Sequence, residues 1–336
     1  IQVANTNLNA NNRFSAPLAA GDLIMIIQMQ GATINSTNTT TYGNVTAYNG
    51  AGHYDIVEVQ GVPTGTSIQL SCQLTHTYTA GSGVQVVRIP RYSSLTINNG
   101  GNLTCPNWNG TIQGVLAVEV DGQTTINAGG QMNADGRGFR GGRRFNAGSG
   151  FTVTTIRTPN VAESGEKGES IAGDWTVYDG TFNGRFGRGA PANGGGGGNA
   201  HNAGGGGGAN GGVVANWNGL GNPDNSGPNW ATCWNQEAAN FSTNTSSGGG
   251  RGGYSYSSNN GNALAQGPGN GGWGGDNRDN IGGFGGRPLD YTTGRIFLGG
   301  GGGAGDENNN SGGGGGNGGG LIYVLSYNNI GGAGVI

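Results

Sequence analysis

Apolar residues along the first third of the chain recur every second position or fill short unbroken runs, the spacing of strands rather than helices. Leu23-Ile24-Met25-Ile26-Ile27-Gln28-Met29 is nearly all apolar, which predicts a strand covered on both faces. His53 to Val59 and Ser67 to Ser71 alternate, and Val84 to Ile89 is closed by Pro90. Residues 1–95 therefore read as an antiparallel β-domain, a sandwich or small barrel. Over 96–136 the runs shorten to Leu95-Thr96-Ile97, Asn102-Leu103-Thr104, Val115 to Val120, Thr125-Ile126-Asn127 and Gln131-Met132-Asn133, separated by Gly and Asn. Short strands between such turns predict β-solenoid-like coils.

The last residues repeat this unit. Gly320 to Leu325, Asn328-Asn329-Ile330 and Gly331 to Ile336 match Gly114 onward in order and character, placing Ile336 opposite Met132. Residues 321–336 are thus a returning coil strand whose coil is incomplete. Continuation of the polypeptide, or a strand added by a partner, is expected to complete that edge.

Between the matching units lies a glycine-rich insertion, 137–320, with an aromatic excursion at 213–247. Glycine supplies 78 of 336 residues, against an ordinary share of about 7%, and much of it stands in runs of five at 194–198, 204–208, 299–303 and 312–316. Such runs bury no side chain, so either they are a flexible linker or their backbones bond to one another. Charged residues make up 10% and aromatics 8%, unlike disordered chains, which are rich in charge and poor in aromatics. The favoured reading is a polyglycine II helix bundle: extended strands with three residues per turn, packed closely because no Cβ intervenes. Trp273, Phe284, Ile296, Phe297 and Leu298 would cover it or dock it on the coils. The fold class is all-β.

The formal charge is −3 with a single lysine, Lys167, so the chain lacks the cationic footprint of a nucleic-acid binder. No apolar stretch reaches transmembrane length, and no membrane insertion is expected. Arg137 to Phe145 resembles an RNA-binding arginine-glycine segment, but a junction whose guanidinium groups cap carbonyls suits the acidic chain better. Phosphate-loop and nucleophile-elbow motifs are absent, and His53, His76 and His201 stand alone in the sequence. No catalytic residue and no cofactor is expected. Asp276, Asp279 and Asp306 lie in oxygen-rich turns that are calcium candidates, against the plainer reading of solvated turns. Glu163, Glu166 and Glu169 read as a charged loop. Cys72 and Cys105 lie in neighbouring predicted strands, as a disulfide pair or as two buried thiols. Trp217, Trp230 and Trp234 are the ligand-binding candidates, since exposed indoles stack on sugars; the alternative is a small cluster holding the excursion together.

Gly21 to Gly31, Val86 to Ser93, Gly138 to Gly142 and Leu298 to Gly305 resemble motifs of large secreted surface proteins of Bacteroidetes. Many of those proteins leave by type IX secretion, and some are gliding-motility-associated adhesins. In composition the glycine region also resembles the polyglycine bundles of phage tail-fibre adhesins and the glycine-rich region of anaplastic lymphoma kinase. The resemblance implies an extracellular, cell-surface location and a non-enzymatic structural or adhesive role toward surface glycans or secretion components. It transfers no catalytic residue, and the further repeats and sorting domain usual in such proteins are not in this sequence. Self-assembly into filaments through the terminal strands is a second expectation. A carbohydrate-active enzyme is a third, but it needs paired acids in a groove that the sequence does not reveal.

Overall fold

The structure is a computed structural model that describes residues 1–9, 12–39, 41–144, 156–157, 165–199, 203–211, 250, 253, 282–306 and 312–336. Among the described residues it is predominantly β, with one short α-helix, α1 (Trp175–Val177), continued by a π-helical turn at Tyr178–Phe182, and a 3-10 turn at Tyr291–Thr293.

The N-terminal strands are β1 (Leu23–Gln28), β2 (Thr33–Ile34), β3 (Val45–Ala47), β4 (Tyr54–Glu58) and β5 (Val84–Ile89). They form the antiparallel sheet β4-β1-β5 and the antiparallel pair β2-β3. All six residues of β1 are buried because both of its faces are covered. Ile24 and Ile26 pack with Val57, Val59 and Ile68, while Leu23, Met25 and Ile27 face a larger core shared with the glycine-rich region. The alternation at Ser67–Ser71 does not make a strand. Ile68 is fully buried there, but among the described residues the segment pairs only through isolated bridges, Gln2 and Thr64 to Ser67 and Val59 to Leu70.

Beyond β5 the pairing becomes parallel. The strands are β6 (Arg91–Tyr92), β7 (Leu95–Ile97), β8 (Asn102–Thr104), β9 (Val115–Val120), β10 (Thr124–Ile126), β11 (Gln131–Asn133), β12 (Leu321–Ser326) and β13 (Ile330–Gly332). They stack as three ladders, β6-β9-β12, β7-β10-β13 and β8-β11, so the chain passes the same three stations in successive layers. Leu321 pairs with Val115 and Ile330 with Thr124, and a bridge joins Val335 to Gln131. That register sets Ile336 beside Met132. Ile97, Cys105, Leu116, Val118, Ile126 and Met132 fill the space enclosed by the layers.

The glycine runs lie against both parts. Around Gly194–Gly198 the N–H groups of Gly195, Gly196, Gly197 and Gly198 donate to carbonyls of Gly301, Phe284, Gly187 and Ala304, at 2.8 to 3.0 Å. Its carbonyls in turn accept from Gly165, Gly168 and Gly206. One run is therefore bonded to five other segments. The partners recur at intervals of three: Gly300, Gly303 and Asp306 donate to Ala209, Gly206 and Ala203, and Gly299, Gly302 and Gly305 donate to Gly319, Gly316 and Gly313. A Cβ on any of Gly195 to Gly198 would overlap a neighbouring main-chain carbonyl. Main-chain groups thus take the partners that buried polar backbone requires. Phe284, Phe297 and Leu298 are buried in the core shared with β1, and Ile296 packs beside them. Trp273 lies outside the described residues.

Candidate functional site

Trp217, Trp230 and Trp234 all lie outside the described residues, as do His201, Asp276 and Asp279. Asp306 is described and buried; its backbone N–H donates to Ala203. Among the described residues no group of three His, Cys, Asp or Glu side chains could hold a metal ion, and no helix is long and apolar enough to cross a membrane.

The described polar chemistry gathers first at the seam between the glycine runs and the parallel layers. Glu166 and Glu169, which the sequence reads as part of a charged loop, are each 3% exposed. Their backbones belong to the glycine lattice, which carries the side chains inside: Ala304 N donates to Glu166 O and Gly301 N to Glu169 O. Arg140 reaches Glu169 through Nε at 2.8 Å and Asp174 through Nη2 at 2.8 Å. Arg143 and Arg185 both approach Glu166 at 3.2 Å, and their guanidinium carbons lie 4.7 and 4.3 Å from the Trp175 ring centre. Within this segment the guanidinium groups of Arg140 and Arg143 are thus held by carboxylates, and that of Arg137 by the Asn107 side-chain oxygen, not by exposed carbonyls as the sequence suggested. The reason is that two buried carboxylates need paired cations more than solvated carbonyls need caps. Burial raises the Glu166 carboxyl above its ordinary value, against the opposing pull of Arg185 and Arg143.

Lys167 sits beside them, fully enclosed. Its Nζ donates to Ile156 O at 3.1 Å and to Phe186 O, and lies 4.9 Å from the Tyr42 ring centre. Burial drives its pKa well below the ordinary lysine value. Because it is the single lysine, acylation mapped to a lysine side chain reports on it alone. In the native protein Lys167 is expected to react at least about a hundredfold more slowly than in urea, as local or global opening limits it. Peptide mapping of the labelled lysine would check this; equal rates would contradict its enclosure.

A second cluster joins residues that the sequence leaves apart. The His53 and His76 rings stack at 4.2 Å between centroids, contrary to the expectation that they stand alone. The β4 strand delivers Asp55 to the loop at Thr75–Tyr78. Its carboxylate accepts from Thr75 N at 3.0 Å, Tyr78 Oη at 2.7 Å and His76 N at 3.2 Å, and from the Thr75 hydroxyl. Burial acts to raise this carboxyl, but those hydrogen bonds outweigh it and hold the pKa down at about 2. His53 is lowered by burial first, then by Arg295 and His76, with Asp55 opposing. Both shifts link folding to pH. Folding favours neutral His53, so stability falls as pH drops through the ordinary histidine range. Asp55 contributes stability above its ordinary pKa of 3.8, and that contribution disappears toward pH 2. Asp55→Asn is therefore expected to flatten the stability loss between pH 4 and 2, measured by urea midpoints at each pH; an unchanged slope would contradict this.

The cysteines correct a further expectation. Cys72 and Cys105 are both free: Cys105 points into the core of the parallel layers, whereas Cys72 is exposed on the N-terminal part. They do not share a disulfide because one thiol belongs to a packed interior and the other to solvent.

No protein-family model, no curated protein and no solved structure matches this chain.

Proposed function

We propose that the chain is an extracellular, non-enzymatic structural and adhesive module of a bacterial cell-surface protein. In this reading the glycine runs are a polyglycine II helix bundle, and the parallel layers are β-solenoid coils that interrupt their succession to receive it. The observation that carries the reading is the interval of three in the main-chain hydrogen bonds among the runs. A strand with three residues per turn returns the same N–H to the same neighbour at that interval. A block built this way has little freedom to deform, because each run is tied to several others. Glu166, Glu169, Arg140 and Arg143 are paired at the seam and Arg188 and Arg287 donate to main-chain carbonyls, so a rigid and weakly charged body holds the aromatic excursion 213–247 away from the cell. The role is mechanical: positioning a contact surface, with glycans or other surface components as partners and no cofactor.

The test is retention on bacterial cells or immobilised glycans by wild type and by a Trp217→Ala/Trp230→Ala/Trp234→Ala variant. Retention lost in the variant supports the excursion as the contact surface. Equal retention removes it.

A second reading, a filament subunit completed by strand addition, has its own observation. Among the described residues β12 pairs only with β9 and β13 only with β10. Tyr327, Val335 and Ile336 beside them are 64%, 65% and 59% exposed. Unpaired edges of this kind template further strands. Electron microscopy of concentrated protein distinguishes the readings: filaments favour assembly, and monodisperse particles count against it.

A further inference from the structure

A groove of about 360 Å³ runs along the outside of the glycine block, and side chains play almost no part in it. One wall is residues 207–210, the other residues 316–319, and the floor is Gly299, Gly300 and Gly302. The floor is bonded to both walls: Gly300 N donates to Ala209 O at 2.7 Å, Gly299 N to Gly319 O at 2.8 Å, and Gly302 N to Gly316 O at 2.8 Å. The walls therefore stand at fixed spacing with a gap between them. On the walls, the N–H groups of Gly208, Gly316 and Gly319 have no acceptor among the described residues. A Cβ placed on Gly316 or Gly319 meets nothing within 4 Å, whereas one on Gly315 or Gly318 would overlap the floor carbonyls of Gly302 and Gly299.

Each wall is itself a glycine-rich extended segment bonded to the floor by main chain alone. The gap between two such segments is the next position of the same packing. What fits there must come within main-chain distance of both walls, which a chain bearing side chains at every residue cannot do. It must also offer N–H and C=O groups at intervals of three, matching the walls.

We propose that this groove binds one further extended strand, a glycine run of a polypeptide different from this chain, by main-chain hydrogen bonding. The recognised feature is the lack of Cβ atoms, so a run of about five glycines is sufficient and the flanking sequence matters little. This rests on reading the glycine runs as strands of three residues per turn.

The probe is dye-labelled hexaglycine, with hexa-alanine as comparison, titrated into the full chain and followed by fluorescence anisotropy. Saturable binding of hexaglycine, at least about tenfold stronger than hexa-alanine, is expected. A Gly316→Leu/Gly319→Leu variant should lose it by about tenfold or more while keeping its fold, since the added side chains start in open space. Absent binding, or binding that the leucines leave unchanged, overturns the proposal. Sedimentation of the protein alone supplies another outcome: a dimer that the leucine variant dissolves overturns it in favour of a second copy as occupant. Hydrogen exchange of the glycine amides separates this inference from the reading beneath it. Slow exchange at Gly195 to Gly198, Gly315 and Gly318 without hexaglycine binding sinks the groove alone.

Discussion

Gly197→Ala is expected to destabilise the protein by about 4 kcal/mol or more, an unusually large effect for a single methyl group. The new Cβ would overlap the Gly165 carbonyl, and that carbonyl belongs to a main chain that is itself held in place. Gly165 N donates to Gly198 O at 2.7 Å, so relief cannot come from one rotamer change; two bonded segments must part. Overpacking of an ordinary core costs about 1–3 kcal/mol because side chains can shift. Here there are none to shift. Gly316→Ala is the internal control. Its Cβ meets nothing within 4 Å, and alanine restricts the unfolded chain, so a gain of about 0.5 kcal/mol is expected. Urea unfolding of both variants measures the contrast, and equal effects would contradict the account.

Glu169→Ala is expected to cost about 3 kcal/mol. The carboxylate accepts from Arg140 N at 3.0 Å, Arg140 Nε at 2.8 Å and Gln30 Nε2 at 2.9 Å, tying the N-terminal sheet to the glycine block. Removing one partner of a buried pair costs about 3–5 kcal/mol. The lower end applies, because the Arg140 side chain is 41% exposed and water takes up part of its lost partner. The double variant Glu169→Ala/Arg140→Ala should be less destabilised than the sum of the singles, measured by the same urea midpoints. Strict additivity would show that the pair is not coupled.

How far the sequence discloses this fold depends on whether burial is decided locally. The strands at Leu23–Gln28, Val84–Ile89 and Val115–Val120 are legible because their apolar content alone demands cover. The kinship of 114–136 with 320–336 is legible too, and the pairing of Leu321 with Val115 follows it. Glu166, Lys167 and Glu169 are not legible. A polar stretch looks solvated until Arg140 and Arg143 arrive from about 25 residues upstream, and the enclosure of Lys167 depends on Tyr42 and Phe186. The stacked His53 and His76 come together only through the antiparallel return of β4 and the loop after it. The alternation at Ser67–Ser71 misleads for the opposite reason: Ile68 is drawn into the core, but no long partner lies alongside. The glycine runs sit between these cases. Their lack of Cβ permits close approach, and Phe284, Phe297 and Leu298 beside them are buried in the common core.

Amide hydrogen exchange resolved at single glycines tests the central claim most directly. Along 313–319 the N–H groups of Gly315 and Gly318 donate to Gly142 O and Phe139 O, while Gly316 and Gly319 have no backbone acceptor among the described residues. The account predicts slow exchange at Gly315 and Gly318, fast exchange at Gly316 and Gly319, and slow exchange at each of Gly195 to Gly198. Uniformly fast exchange through 194–198 and 299–303 would contradict it, because runs that exchange freely are not bonded to one another.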